Sequence, residues 1–263
     1  MGKIDATEET RRMAIYNQLH QHDQLRFPLE DYPTFAKWLN IPRNGKGLRL
    51  LDIACGQGFF LEAVERSALE LESHGLDFSE VALDFTRKRV SRTKLAKGSV
   101  YALPYDDAHF DYCVSLGSLE HFDAPGRAMD EVRRVLKPTG KALVIVPNQF
   151  YLGNIWRAFA YGEGEDQGQE GVTTAKTINE WTQVFLESQL DVTGVQGYNG
   201  EDHIAWYFKR PDGKLNETER GWRLFLDTFI KPAIPLNLSQ CFVFSLRRQP
   251  EAIETIARKQ YMK

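Results

Sequence analysis

The segment that most restricts this chain is Leu50-Leu51-Asp52-Ile53-Ala54-Cys55-Gly56-Gln57-Gly58, an apolar run that ends in two glycines and leads into a helical pattern from Phe59. A strand that stops in such a turn and resumes as a helix brings bare backbone N–H groups to a helix N-terminus, where a polar ligand can approach closely. Nineteen residues past Gly58, Asp77 closes the next apolar run. Its carboxylate is placed to accept both hydroxyls of a ribose, and Phe78 to pack on a base. The pair predicts a nucleoside ligand. A dinucleotide-dependent oxidoreductase would want a third glycine three residues after Gly58, but Leu61 stands there.

The alternation continues down the chain. A short strand is expected near Lys97 to Tyr101, another at Phe110 to Ser118, a helix over about Pro125 to Leu136, and a buried strand at Ala142 to Pro147. Lys137-Pro138-Thr139-Gly140 supplies the break between that helix and strand. Thr177 to Gln189 reads as a helix, and Leu190 to Tyr198 and Cys241 to Arg248 as strands. The pattern predicts an α/β doubly wound, mostly parallel seven-stranded sheet with one antiparallel edge pairing and a ligand crevice at the C-terminal ends of its strands. Lid helices are expected over residues 1–47: one carries Met13, Tyr16 and Leu19 on a face, and one is capped by Asp31 with Phe35, Trp38 and Leu39 apolar. The core then runs over 48–147, a first cap insertion over 148–176, more core over 177–199, and a second cap insertion over 200–238. The last includes an amphipathic helix from Asn216 to Ile230, and residues 239–263 supply the last core strand and a tail.

Charge narrows the function. With 33 Lys plus Arg against 36 Asp plus Glu, the net charge is −3, so no global positive field exists to hold nucleic acid or an anionic membrane. The basic run Arg87-Lys88-Arg89, with Arg92 and Lys94, falls at a helix C-terminus, where cations complement the macrodipole. Cys55, Cys113 and Cys241 are odd in number and far apart, which predicts neither a disulfide framework nor a metal site and fits a reducing, cytoplasmic compartment. No apolar run approaches a membrane span, and the first residues lack the apolar core of a secretory leader.

LLDIACGQG resembles the first motif of the class I S-adenosylmethionine-dependent methyltransferases of the kind acting on small molecules, and HGLDFSEVAL resembles their acidic second-strand end. GSVYALPYDDAHFDYCVSLGSLEHF resembles the adenine-site and fourth-strand motif, and VRRVLKPTGKALVIVPN the helix, turn and fifth strand. The resemblance covers roughly residues 48 to 148 and implies S-adenosylmethionine as cofactor. It puts Asp52, Ala54, Gly56 and Gly58 around the methionine part, Asp77 on the ribose, and Phe78 and Val100 on the adenine faces. Leu116, with Gly117, would turn a backbone carbonyl toward the ammonium group. Ser99 departs from the pattern: many relatives carry Gly-Asp where this chain has Gly98-Ser99, and a hydroxyl accepts more weakly than a carboxylate from the adenine amino group.

The implied chemistry is an in-line displacement that needs the acceptor atom held about 3 Å from the methyl group. An oxygen acceptor additionally benefits from a general base. His121, just past the fourth strand, is the candidate catalytic residue; the competing reading is a histidine that orients its loop by bonding backbone. His203 reads as a surface histidine, and His109 is assigned no role. The insertions are aromatic-rich, and Trp156, Trp206 and Tyr207 are candidates for an apolar or aromatic acceptor pocket, although a cap also needs a core of its own. The fourth strand ends in SLGSLEH and not in the Asn/Asp-Pro-Pro-Tyr element of base methyltransferases, which again disfavours nucleic acid. The expected function is methyl transfer to a small or lipid-like acceptor at oxygen or nitrogen. A catalytically silent cofactor-binding or interaction module and a nucleotide-dependent oxidoreductase are the alternatives.

Overall fold

Strands β1 (Arg49–Ile53), β2 (Glu72–Asp77), β3 (Lys94–Lys97), β4 (Phe110–Leu116), β5 (Leu136–Pro147), β6 (Leu190–Tyr198) and β7 (Cys241–Arg248) form one sheet in the order β3-β2-β1-β4-β5-β7-β6. The first five are parallel; β7 runs antiparallel between β5 and β6, so the sheet has two antiparallel pairings where one at the edge was expected. The computed structural model describes Asn17, Phe27 and residues 29–67, 69–162, 174–200 and 233–250. The order reverses between β1 and β4, which is the switch point at which crossovers leave a crevice above the strand ends.

Period-two alternation builds a core on each face of the sheet. Leu51, Cys113, Val144 and Phe244 face one side with Met129, Val132, Trp181 and Phe185. These come from α4 (Pro125–Val135) and α6 (Ile178–Glu187). Leu50, Val114, Leu143 and Val243 face the other side with Phe35, Phe60 and Val64, from α1 (Tyr32–Trp38) and α2 (Phe59–Arg66). Between α2 and α4 runs α3 (Glu80–Arg89), and α5 (Leu152–Tyr161) follows β5. Leu61 lies over Gly75 of β2, where an added Cβ would come within 2.7 Å of the leucine Cδ1. Close packing of helix on sheet is thus achieved by a glycine in β2, so α2 needs none at position 61.

Three local expectations are corrected. The third strand is Lys94–Lys97, ending where the sequence placed its start, because residues 98–102 turn instead of extending. Gly98 N donates to Asp77 O at 3.0 Å, Ala102 N to Ser99 O at 3.2 Å, and Tyr101 N to Ser99 Oγ at 3.3 Å. Lys137–Gly140 does not separate helix from strand; β5 begins at Leu136 and passes through these residues as an irregularity opposite Asp111. Lys137 Nζ holds that excursion, 2.7 Å from Asp111 Oδ2. Asp31 precedes α1 without a side-chain cap and instead accepts the Tyr198 hydroxyl at 2.5 Å, tying the start of α1 to the end of β6. The capping box of α6 is complete: Thr177 Oγ1 accepts from Glu180 N at 3.3 Å and Glu180 Oε2 from Thr177 N at 2.8 Å, a pairing worth about 1 kcal/mol. The helices expected around Tyr16 and over Asn216 to Ile230 lie outside the described residues.

Candidate active site

After Ile53 the chain enters a turn in which Ala54 (φ 56°), Gly56 (φ 52°) and Gly58 (φ 78°) are all left-handed. Cys55 N donates to Leu76 O at 3.0 Å, which fastens the turn to β2. Asp77, at the end of β2, fastens it a second time: its Oδ2 accepts from Gly56 N at 2.8 Å and its Oδ1 from Ser79 N at 2.9 Å. Ser79 in turn caps α3 by accepting from Ala82 N at 3.1 Å, and its hydroxyl donates to Asn17 Oδ1 at 2.5 Å. One short acidic segment therefore joins the glycine turn, the start of α3 and an N-terminal residue.

Each oxygen of a carboxylate has two acceptor sites; the Phe78 N–H also bonds to this carboxylate, so three sites are used and Asp77 can accept one more hydrogen bond. Burial pushes its carboxyl up to about 6 despite the backbone N–H groups that favour the charge. Asp52, one residue before the end of β1 and opposite Gly75, is also buried and raised, first by burial and then by the charge of Asp77.

A cavity opens above these strand ends, lined by Asp52, Ala54, Gly56, Asp77, Phe78, Ser99, Val100, Leu116 and His121. Gly58 lies behind the wall, against Thr86 of α3. The early end of β3 is what brings Ser99 and Val100 to the rim. Ser99 Oγ already accepts from Tyr101 N, so one acceptor site remains on it. Trp156 sits on α5, while Trp206, Tyr207 and His203 lie outside the described residues.

The structure adds lining residues that the sequence reading missed: Tyr32, Gln57, Phe59, Tyr101, Phe122 and Asp123. Tyr32 arrives from α1 and stacks on Phe59 with ring centroids 5.8 Å apart. Only a three-dimensional contact brings it there, and no spacing rule would have found it. Glu120 was visible only as a neighbour of His121. Both belong to a 3-10 turn, Leu119–His121, after β4. Glu120 Oε1 lies 3.9 Å from His121 Nε2, and its buried Oε2 has no hydrogen-bond partner. Its backbone carbonyl accepts from Thr174 N and Oγ1, both at 3.1 Å.

Burial pushes the Glu120 carboxyl up to about 8. The folded chain therefore keeps a proton that the unfolded chain releases near the ordinary glutamate value of 4.5. That contribution to stability is complete below the unfolded value and is lost as pH rises toward 8, at about 1.4 kcal/mol per pH unit. Denaturant titrations at pH 5, 6.5 and 8 should show Glu120→Gln gaining on the wild type with rising pH. A constant difference between the two would place the Glu120 carboxyl in the ordinary range.

Residues 51–144 match the family described as Methyltransferase domain. The chain is 34% identical over 156 residues to a demethylmenaquinone methyltransferase of Staphylococcus carnosus, covering 57% of this chain and 65% of that one. It is 27% identical over 154 residues to the Bacillus subtilis enzyme of that name, covering 54% and 66%. It is 35% identical over 101 residues to a malonyl-[acyl-carrier protein] O-methyltransferase of Erwinia pyrifoliae, covering 38% of each. The chain thus spans less than two thirds of each of these relatives. Among solved structures, a Thermotoga maritima S-adenosylmethionine-dependent methyltransferase, a possible histamine N-methyltransferase, superposes with a TM-score of 0.61 at 17% identity, covering 90% of this chain and 99% of that one. A Haloferax volcanii methyltransferase in complex with the Trm112 activator superposes with a TM-score of 0.60 at 17% identity, covering 84% and 90%. The sheet order and the glycine turn held by Asp77 agree with these matches: over residues 51–144 the chain matches the methyltransferase-domain family, and its sheet has the fold of solved S-adenosylmethionine-dependent methyltransferases.

Proposed function

We propose that this chain transfers a methyl group from S-adenosylmethionine to a small or lipid-like acceptor, at oxygen or nitrogen. The observation that carries the reading is the Asp77 carboxylate, anchored through both oxygens to backbone N–H groups beside the cavity and still able to accept from a hydroxyl. That arrangement fits a ribose. Asp52, Ala54 and Gly56 would hold the methionine part, Phe78, Ser99 and Val100 the adenine, and the Leu116 carbonyl the ammonium group. Bound there, the sulfonium supplies an electrophilic methyl group. The chain's own task is to orient the acceptor, exclude water and, for an oxygen acceptor, take its proton at His121.

Charge supports a choice of acceptor. Among the described residues lining the cavity are Asp52, Asp77 and Asp123, and no Lys or Arg. A neutral or cationic acceptor suits such a wall better than a carboxylate or a diphosphate. An apolar or aromatic one is further supported by Tyr32, Tyr101 and Phe122. We assign the acceptor side to the two cap insertions, 148–176 and 200–238, with Trp156, Trp206 and Tyr207 as its aromatic contacts. Nucleic acid is disfavoured because the basic end of α3 is engaged: Arg87 Nη1 lies 2.8 Å from Glu80 Oε1 and 2.6 Å from Asp84 Oδ1. No described helix is long and apolar enough to cross a membrane. The three cysteines are free thiols, which supports a reducing, cytoplasmic location.

Turnover with methyl-labelled cofactor against a panel of phenols, quinols, amines and carboxylic acids tests the reading. Label should pass to neutral or amine acceptors. Cofactor binding without transfer to any class would leave only a binding module. Asp77→Asn, checked for folding by circular dichroism, should weaken cofactor binding by at least ~1.5 kcal/mol, about tenfold. Because the ribose hydroxyls need the ionised carboxylate, wild-type affinity should fall as pH drops below about 6, and the variant should lose that dependence. Unchanged affinity in a folded variant would remove Asp77 from the ribose site.

A further inference from the structure

At the opposite pole of the sheet from the cavity, three metal-ligating side chains converge where β1, β2 and β4 begin. Glu72 and His74 lie two residues apart on β2 and so share a face; His109 immediately precedes β4. One ligand atom from each lies within 4.8 Å of the other two, and His74 Nε2 is 2.7 Å from Glu72 Oε1.

The imidazoles are held in place by their surroundings. His74 is 6% exposed, with its ring edge-on to Phe110 at 5.1 Å and to Tyr105 at 5.6 Å. His109 stacks on Tyr105 at 6.2 Å, meets Phe110 at 4.8 Å, and has its backbone N donating to Val135 O at 2.8 Å. A cationic group already bridges the cluster: Arg49 Nη1 lies 3.5 Å from His109 Nδ1, and Arg49 Nε 3.8 Å from Glu72 Oε1. Lys94 Nζ, 2.9 Å from Glu72 Oε2, steadies the carboxylate from the far side. The side chains of Arg49 and Lys94 are 41% and 62% exposed, so both can swing into solvent.

We propose that Glu72, His74 and His109 form a binding site for a borderline divalent cation, Zn2+ above all, with the Arg49 guanidinium standing in for it when the cation is absent. Two imidazole nitrogens and one carboxylate make a set that Zn2+ accepts, with water in the fourth place. Tetrahedral ligands at about 2.1 Å sit roughly 3.4 Å from one another, so small rotations of Glu72 and His109 close the set. The cation would clasp the starts of β2 and β4 across β1, which makes it a fastener of the sheet and no part of methyl transfer.

Titration of the full chain with Zn2+ alone, by calorimetry and by competition with a fluorescent chelator, tests this. His20 and His22 offer a second place for the ion, so the titrations use a background with both changed to Gln. One ion should bind per chain and raise the melting temperature. Glu72→Gln and His109→Ala should each weaken binding by at least about tenfold. Arg49→Ala should tighten it, because the competing cation is gone. Since the buried His74 can be needed for folding, the half-buried partners His109 and Arg49 carry the decision. Binding unchanged in folded His109→Ala, or weakened in Arg49→Ala, would overturn the proposal.

Discussion

Gly58→Ala should lower S-adenosylmethionine affinity on the order of 10²-fold while leaving a folded chain. Gly58 has φ 78°, and a Cβ there would lie 2.5 Å from Thr86 Cγ2 and 2.9 Å from Thr86 Oγ1. The left-handed backbone alone costs roughly 1–2 kcal/mol for alanine. The displaced Thr86 matters as much, because its hydroxyl donates to Gly56 O at 2.8 Å and Gly56 N holds Asp77 at 2.8 Å. Pushing Thr86 aside therefore loosens the Asp77 carboxylate, which we propose for the ribose, through two hydrogen bonds, each worth about 1 kcal/mol. Asparagine tolerates left-handed angles, yet Gly58→Asn should do no better, since it still places a Cβ against Thr86. Calorimetry on variants whose circular dichroism matches the wild type checks both. Near-normal binding by Gly58→Asn together with loss in Gly58→Ala would make backbone angle the whole cause, and normal binding by both would detach the turn from the cofactor.

The glycine turn was legible because its chemistry is local: the same few residues supply strand, turn and helix start, and Asp77 closes the next strand at a readable spacing. The mostly parallel sheet was legible for a related reason, since buried parallel strands leave short apolar runs such as Ala142 to Val146 that admit few other readings. What escaped was decided by contacts between distant segments. Asp31 has the residue type and position of a helix cap, but the Tyr198 hydroxyl, 167 residues away, is its partner. The end of β3 was misjudged because Val100 and Tyr101 have strand propensity, and a hydroxyl turn at Ser99 outweighs it. Nothing in the sequence marks Glu120 as buried; the turn after β4 drives it inward.

His121→Ala should lower kcat by about 10² to 10⁴ for an oxygen acceptor and remove the acidic limb of the pH–rate profile, with cofactor affinity nearly unchanged. The position argues for it. The His121 side chain, 14% exposed, lines the cavity one turn past the end of β4, beside Ser118, Phe122 and Asp123. A nitrogen acceptor with a free lone pair would not need a base, so the size of the loss also reports which atom is methylated. Glu120 supplies an internal control. With its carboxyl pushed up to about 8, it is neutral at pH 7, and Glu120→Gln should leave kcat there within about threefold of wild type. At pH 9 the wild type carries a buried negative charge 3.9 Å from His121 Nε2 that the variant lacks, and only there should the two diverge. If His121 instead merely orients its loop, His121→Ala should cost ~1 to 3 kcal/mol of stability from an unsatisfied polar group, with kcat falling less than tenfold. Melting temperature and kcat measured on one preparation separate the two, because a base loses rate without stability and an orienting residue loses stability first.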